Sequence, residues 1–116
     1  MVSLGMCGPY QLTADKIDHV VIKKSAGNYA LGYLDPGFTV RYVGRSDNDI
    51  KGRLKSWVGK EVSYKHFEFS YAPSCRKVFN KECKNYHDFG GKKGLDNEQH
   101  PISPDGTDWK CAVCGM

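Results

Sequence analysis

The sequence predicts an α+β domain: a small three-stranded, mainly antiparallel sheet flanked by helices, with a Cys-x-x-Cys tail that could fold as a zinc knuckle. Three observations carry this. A hairpin pattern surrounds Asp35-Pro36-Gly37, residues 63–70 alternate polar and aromatic, and apolar stripes at helical spacing run through 50–58 and 75–86. The order helix, strand, strand, helix, strand, helix is satisfied most simply by one sheet with the helices packed on it.

Residues 1–12 carry Gly5, Gly8 and Pro9 and read as an irregular arm. Thr13 can cap a short helix to about His19 that turns Ile17, Val20 and Val21 inward, although Val20-Val21-Ile22 could equally begin a strand. Residues 28–34 alternate and 38–44 are β-branched and aromatic. Between them proline presets one dihedral and glycine takes the positive one. Ser46 is expected to cap the next helix, with Asp49 making an acidic first turn. Ile50, Leu54, Trp57 and Val58 share one face of it, and Gly59 stops it. Pro73 and Ser74 open a further helix to about Asp88, which Gly90, Gly91 and Gly94 end; 90–106 reads as loop.

At 116 residues the chain suits a single domain, 1–116, with one core. A net charge of +4 fits an anionic partner such as nucleic acid, but alone it carries little weight. No run is long enough to span a bilayer, and the first residues lack a basic stretch followed by a sustained apolar run, so neither a membrane anchor nor a signal peptide is expected. The chain reads as intracellular. Its five cysteines, an odd count, argue for free thiols or a metal site over a disulfide framework.

Some residues break their own pattern. Cys75, Val78, Phe79, Cys83 and Tyr86 form an apolar stripe, and Glu82 lies on it. A carboxylate facing a core is costly unless it is paired or bound to a cation. Glu82 is therefore either a rim glutamate paired with a lysine or arginine, or a ligand for a hard divalent cation such as Mg²⁺. Arg53 borders the buried face of its helix, one turn after Ile50 and one before Trp57, where a guanidinium could grip a phosphate with two parallel hydrogen bonds. Arg45, Lys51 and Lys55 accompany it as candidate nucleic-acid contacts; for the two lysines a solvated basic face is the plainer reading. Tyr33, Tyr64 and Tyr71 read as packing residues. Tyr29 and Tyr42, on neighbouring strands, can share one face and one site.

Gly27-Asn28-Tyr29, Tyr42-Val43-Gly44, Arg53 in the following helix, Glu82 in the next and Asn97 after it resemble the GIY-YIG nuclease family, over about residues 26–98. The resemblance implies a metal-dependent endonuclease that hydrolyses DNA phosphodiester bonds. It implies Tyr29 or Tyr42 as general base, Arg53 on the phosphate, Glu82 holding Mg²⁺ (or Mn²⁺), and Asn97 orienting Glu82 or a tyrosine. A phenol's pKa near 10 means that Arg53 or Lys55 would have to favour the phenolate. Asn28 stands where an aliphatic residue is usual, and Trp57 where many members carry histidine or tyrosine; Tyr64 or His66 could take over proton transfer. These two departures motivate the alternative, a GIY-YIG-like module that binds DNA or a protein without cutting. Specificity would come from DNA shape, a protein partner or a targeting domain.

In the tail, 107–116, Cys111-Ala112-Val113-Cys114-Gly115 has the spacing of half a Zn²⁺ site, and a redox-capable pair or an idle tail are the other readings of it. Cys7 and His100 are the candidates to complete it, ahead of His19 and His87; with Cys7 the ion would tie the termini together. Cys75 and Cys83 read as core thiols.

Overall fold

The computed structural model describes residues 6–34, 37–59, 64–72, 74–97, 100–103, 107, 109–111 and 113–115, without the side chains of Cys75 and Lys92. Its elements run β1 (Cys7–Gln11), α1 (Ala14–Val20), β2 (Gly27–Leu34), β3 (Phe38–Ser46), α2 (Ile50–Lys55), β4 (His66–Tyr71), α3 (Cys75–Asp88) and the single turn α4 (Gly91–Gly94). The sheet has four strands in the order β1-β4-β2-β3, with every pair antiparallel.

The fourth strand corrects the expected three. The supposed irregular arm pairs with β4 from Cys7 to Gln11, its register shifting between Cys7 and Tyr10. Glycine and proline argue against an interior strand but not against an edge one, and β1 is an edge. A second correction concerns α2. Ser46 is the last residue of β3, paired with Gly27, and the N-cap is Asp49, whose carboxylate accepts from the Gly52 N–H at 3.1 Å. Ser46 supports the turn instead, its hydroxyl accepting from the Asp49 N–H at 2.8 Å. Thr13 and Ser74 cap α1 and α3 as expected, each accepting from the N–H three residues on. The Asp35-Pro36 step and Ser63 lie outside the described residues.

β2 is central and buried on both faces, and its period of two sorts the core. Tyr29 and Leu31 pack with Ile17, Val21, Ile50 and Leu54 under α1 and α2. Ala30 faces the other way, towards Val43, Tyr86 and Leu95. Asn28 is on that second face and fully buried; its amide donates to the Val78 carbonyl of α3 at 2.9 Å. The unexpected polar residue is thus a tether between sheet and helix. No described helix is long and apolar enough to cross a membrane.

Candidate functional site

A cleft of about 610 Å³ opens where β2, β3, α2 and α3 meet. Tyr29, Tyr42, Arg45, Arg53, Glu82 and Asn97 all border it. Tyr29 on β2 is opposite Gly44 on β3, and Tyr42 is opposite Leu31, so the two tyrosines are diagonal neighbours on one face. Their rings are 6.4 Å apart and nearly parallel. The glycines of both tripeptides stand where a side chain would not fit. A methyl at Gly44 would come within 2.4 Å of the Tyr29 ring, and one at Gly27 within 2.4 Å of the Ser70 carbonyl.

The Tyr29 hydroxyl oxygen accepts from Arg53 Nε at 3.3 Å and from Trp57 Nε1 at 3.1 Å. Burial pushes its pKa up, against the pull of Arg53, so Tyr29 keeps its proton at neutral pH. Trp57 also packs on Tyr42, ring centres 4.8 Å apart. An indole N–H can only donate, so Trp57 orients the phenol and cannot relay a proton. The two suggested substitutes do not serve here either. Tyr64 borders the cleft but donates to Asp96 Oδ2 at 2.9 Å, and burial together with that bond raises its pKa far above 10. His66 lies in a neighbouring hollow, beyond Trp57 and Tyr64.

Glu82 projects from α3 and is 9 % exposed. Its Oε1 accepts from Arg45 Nη1, and Arg45 also holds Asp47 at 3.0 Å. Burial raises the Glu82 pKa; the Arg45 guanidinium opposes that rise. The carboxylate on the apolar stripe therefore has an arginine partner that the periodicity alone did not name. Asp47, which also borders the cleft, went unnoticed in the sequence because it reads as a loop residue.

Asn97 does not orient Glu82 or a tyrosine through its amide. Oδ1 accepts from the Val43 N–H at 3.0 Å and Nδ2 donates to the Val43 carbonyl at 2.8 Å. The reason lies in β3. Leu31 pairs with Tyr42 and Gly32 with Val40, so Arg41 is an extra residue, a bulge at the sheet's open edge. Its carbonyl accepts from the Asp96 N–H, and its guanidinium reaches the Gly94 carbonyl and Asp96. Residues 94–97 thus clasp the edge of β3. Lys51 and Lys55 are not brought to the cleft; both pair with Asp18 of α1.

Beside the cleft, His87, His100, Cys111 and Cys114 bring four ligand atoms within 4.8 Å of one another, a group that could hold a metal such as zinc. His87 ends α3. His100 Nε2 is 3.1 Å from His87 Nε2 and 3.3 Å from Cys114 Sγ, while its Nδ1 meets the Pro101 carbonyl at 2.8 Å. That last contact assigns the proton to Nδ1 and leaves Nε2 as the ligand atom. Burial raises the Cys111 thiol, but hydrogen bonds from the backbone N–H groups of Cys114 and Val113, together with Cys83 and His100, bring the pKa down to about 6. Cys83, fully buried beside it, is pushed up to about 12 by burial and is a core thiol, as expected. Cys7, the expected partner, is not in the group: it is exposed on β1. His19 is exposed on α1 and also apart. His87 could have been ranked higher, since it lies one turn beyond Cys83 on the helix that carries the stripe.

No family model, curated protein or solved structure matches the chain.

Proposed function

We propose that the chain is a metal-dependent phosphodiesterase that cuts DNA, with a GIY-YIG-like cleft. The observation that carries this reading is the convergence of Tyr29, Tyr42, Arg53 and Glu82, from four separate elements, on one cleft. Phosphodiester hydrolysis needs a cation for the phosphate oxygens, a group to take the proton from water, and a site for a divalent metal. Arg53 spends Nε on Tyr29, and its terminal nitrogens are the pair that grips a phosphate. Tyr29 keeps its proton and already accepts two hydrogen bonds, so it donates to a phosphate oxygen. That assigns proton removal to Tyr42, the half-buried neighbour on β3.

The fit of Mg²⁺ at Glu82 is chemically sound, because the ion keeps most of its water and needs only one or two carboxylates beside the phosphate. When bound, it would act as Lewis acid on the phosphate and the leaving oxygen. Bound there, the ion would compete with Arg45 for Glu82, and Arg45 would keep Asp47 as its partner.

For the His/Cys group we assign Zn²⁺. Tetrahedral zinc with bonds of about 2.0–2.3 Å sets ligand nitrogens about 3.3 Å apart and nitrogen–sulfur pairs about 3.6 Å apart. The two separations at His100, 3.1 and 3.3 Å, lie close to this. Four protein ligands leave no open position, so the ion is structural.

One observation favours the non-cutting module: Glu82 already has the Arg45 guanidinium as its counter-charge. Plasmid nicking with Mg²⁺, repeated with EDTA and with Arg53→Ala, separates the two. Metal-dependent nicking that Arg53→Ala abolishes supports the nuclease. Gel-shift binding with no nicking leaves the module.

A further inference from the structure

The geometry points to a task for the His/Cys centre on which the cleft depends: a zinc ion there ties α3 to the edge of β3 and fixes the spacing of the cleft's two walls. The link to catalysis rests on the nuclease reading, but the structural claim stands without it.

The two walls come from different elements. Tyr42 and Arg45 are on β3, and Glu82 is on α3. The segment after α4 touches both. Its first part, 94–97, clasps β3 through Asn97, Asp96 and the Arg41 contacts. Three residues beyond Asn97, His100 reaches His87 at the end of α3. His100, Pro101 and Ile102 themselves border the cleft. A metal bond between His87 and His100 therefore closes a loop from α3 through the clasp to β3. Cys111 and Cys114 complete the ligand set and lay the tail along α3, where Trp109 packs on Phe79, one turn before Glu82.

Among the described residues the apolar anchoring of this segment is small. Ile102 is 64 % exposed and Val113 55 % exposed, while Cys111 and Trp109 pack with Phe79 and Cys83 of α3. Small assemblies of this kind draw their ordering energy from the metal. The imidazoles are also braced: the Tyr86 ring lies edge-on 5.3 Å from both the His87 and His100 rings, and the Pro101 carbonyl holds His100 Nδ1.

The test uses the whole chain loaded with zinc, the same chain stripped by a chelator, and Cys114→Ser, a change at an exposed position. Elemental analysis should give one zinc per loaded chain, and cobalt(II) should give the intense visible bands of a tetrahedral thiolate site. Cys114→Ser should lose those bands. Hydrogen exchange should find the Val43 amide, capped by Asn97, slow in the loaded chain and at least about tenfold faster in the stripped chain and in Cys114→Ser. The amides of β2 should stay protected throughout. Absence of stoichiometric zinc, or Val43 protection unchanged on stripping, overturns the strut. Loss of β2 protection together with Val43 also overturns it, since the metal would then hold the whole fold. A loaded chain with zinc, cobalt bands and Val43 protection that nicks no DNA keeps the strut and removes the nuclease reading instead.

Discussion

The cleft and the His/Cys centre adjoin and share His100, yet they are assembled in opposite ways. The cleft's chemical groups sit on strands and helices, where packing of the same element fixes them: Tyr29 on the buried central strand, Arg53 beside Leu54, Glu82 between Phe79 and Cys83. The centre takes one ligand from the end of α3 and three from segments with no regular structure of their own. A site on rigid elements should lose its chemistry through one side chain without losing its shape. A site made by convergence of loops should lose shape and chemistry together once its organiser is gone.

The largest expected effect tests the first half of this contrast. Glu82→Gln keeps an acceptor for Arg45, and Asp47 remains as counter-ion. Nicking should fall by at least about 100-fold, because the metal-binding charge is lost. The melting temperature and zinc content should match the parent's. A variant that cuts normally breaks the assignment of Glu82; one that unfolds breaks the claim that the cleft is held by its elements.

Asn97→Ala comes next, at the joint between the two regions. It strands the buried N–H and carbonyl of Val43, each worth about 1–3 kcal/mol when left unsatisfied. Urea unfolding should show a loss of about 2–4 kcal/mol. A stability equal to the parent's would mean that water or the chain replaces the clasp without cost.

Within the cleft, Gly44→Ala should cost about 1–3 kcal/mol, because the added methyl meets the Tyr29 ring at 2.4 Å. Tyr29→Leu removes the ring atoms in conflict, so in a double-mutant cycle it should recover most of the Gly44→Ala loss. Additive losses would show that something other than this contact demands glycine.

The same contrast explains what the sequence made legible. Period and burial are properties of neighbours in the chain, so the hairpin, the α3 stripe and the off-pattern Arg53 and Glu82 were legible from pattern, as was the shared face of Tyr29 and Tyr42; the roles of the two tyrosines came from the family resemblance. What escaped depends on distant pairing. β1 was hidden because Pro9 argues against a strand until an edge position is known. Asn97's role needs the Arg41 bulge, which presents the β3 edge to residues 94–97. Cys7 was the stronger metal-ligand candidate by type, but the sheet carries it to the β1 edge while α3 brings His87 to the tail. For the same reason the Arg45–Glu82 pair, thirty-seven positions apart, could be anticipated only as some basic partner.

That pair offers the finest test. Glu82's carboxyl has an ordinary value of 4.5, raised in the folded chain by burial and pulled back by Arg45. A carboxyl whose folded pKa is raised binds its proton more tightly when folded than when unfolded. Its contribution to stability is therefore fully present below the unfolded value and is lost as pH rises through the folded one. Arg45→Met keeps most of the side chain's bulk but removes the charge, so the Glu82 pKa should rise further. NMR titration of the Glu82 carboxyl carbon without divalent metal should follow this directly, with the parent's midpoint above 4.5 and the variant's higher still. Nicking by Arg45→Met should have its acid limb displaced in the same direction, because the carboxylate must form before it can hold Mg²⁺. An unmoved midpoint would mean that Arg45 does not govern Glu82 in solution. The carboxylate would then be held by the metal site alone, and the arginine would belong to the DNA from the start.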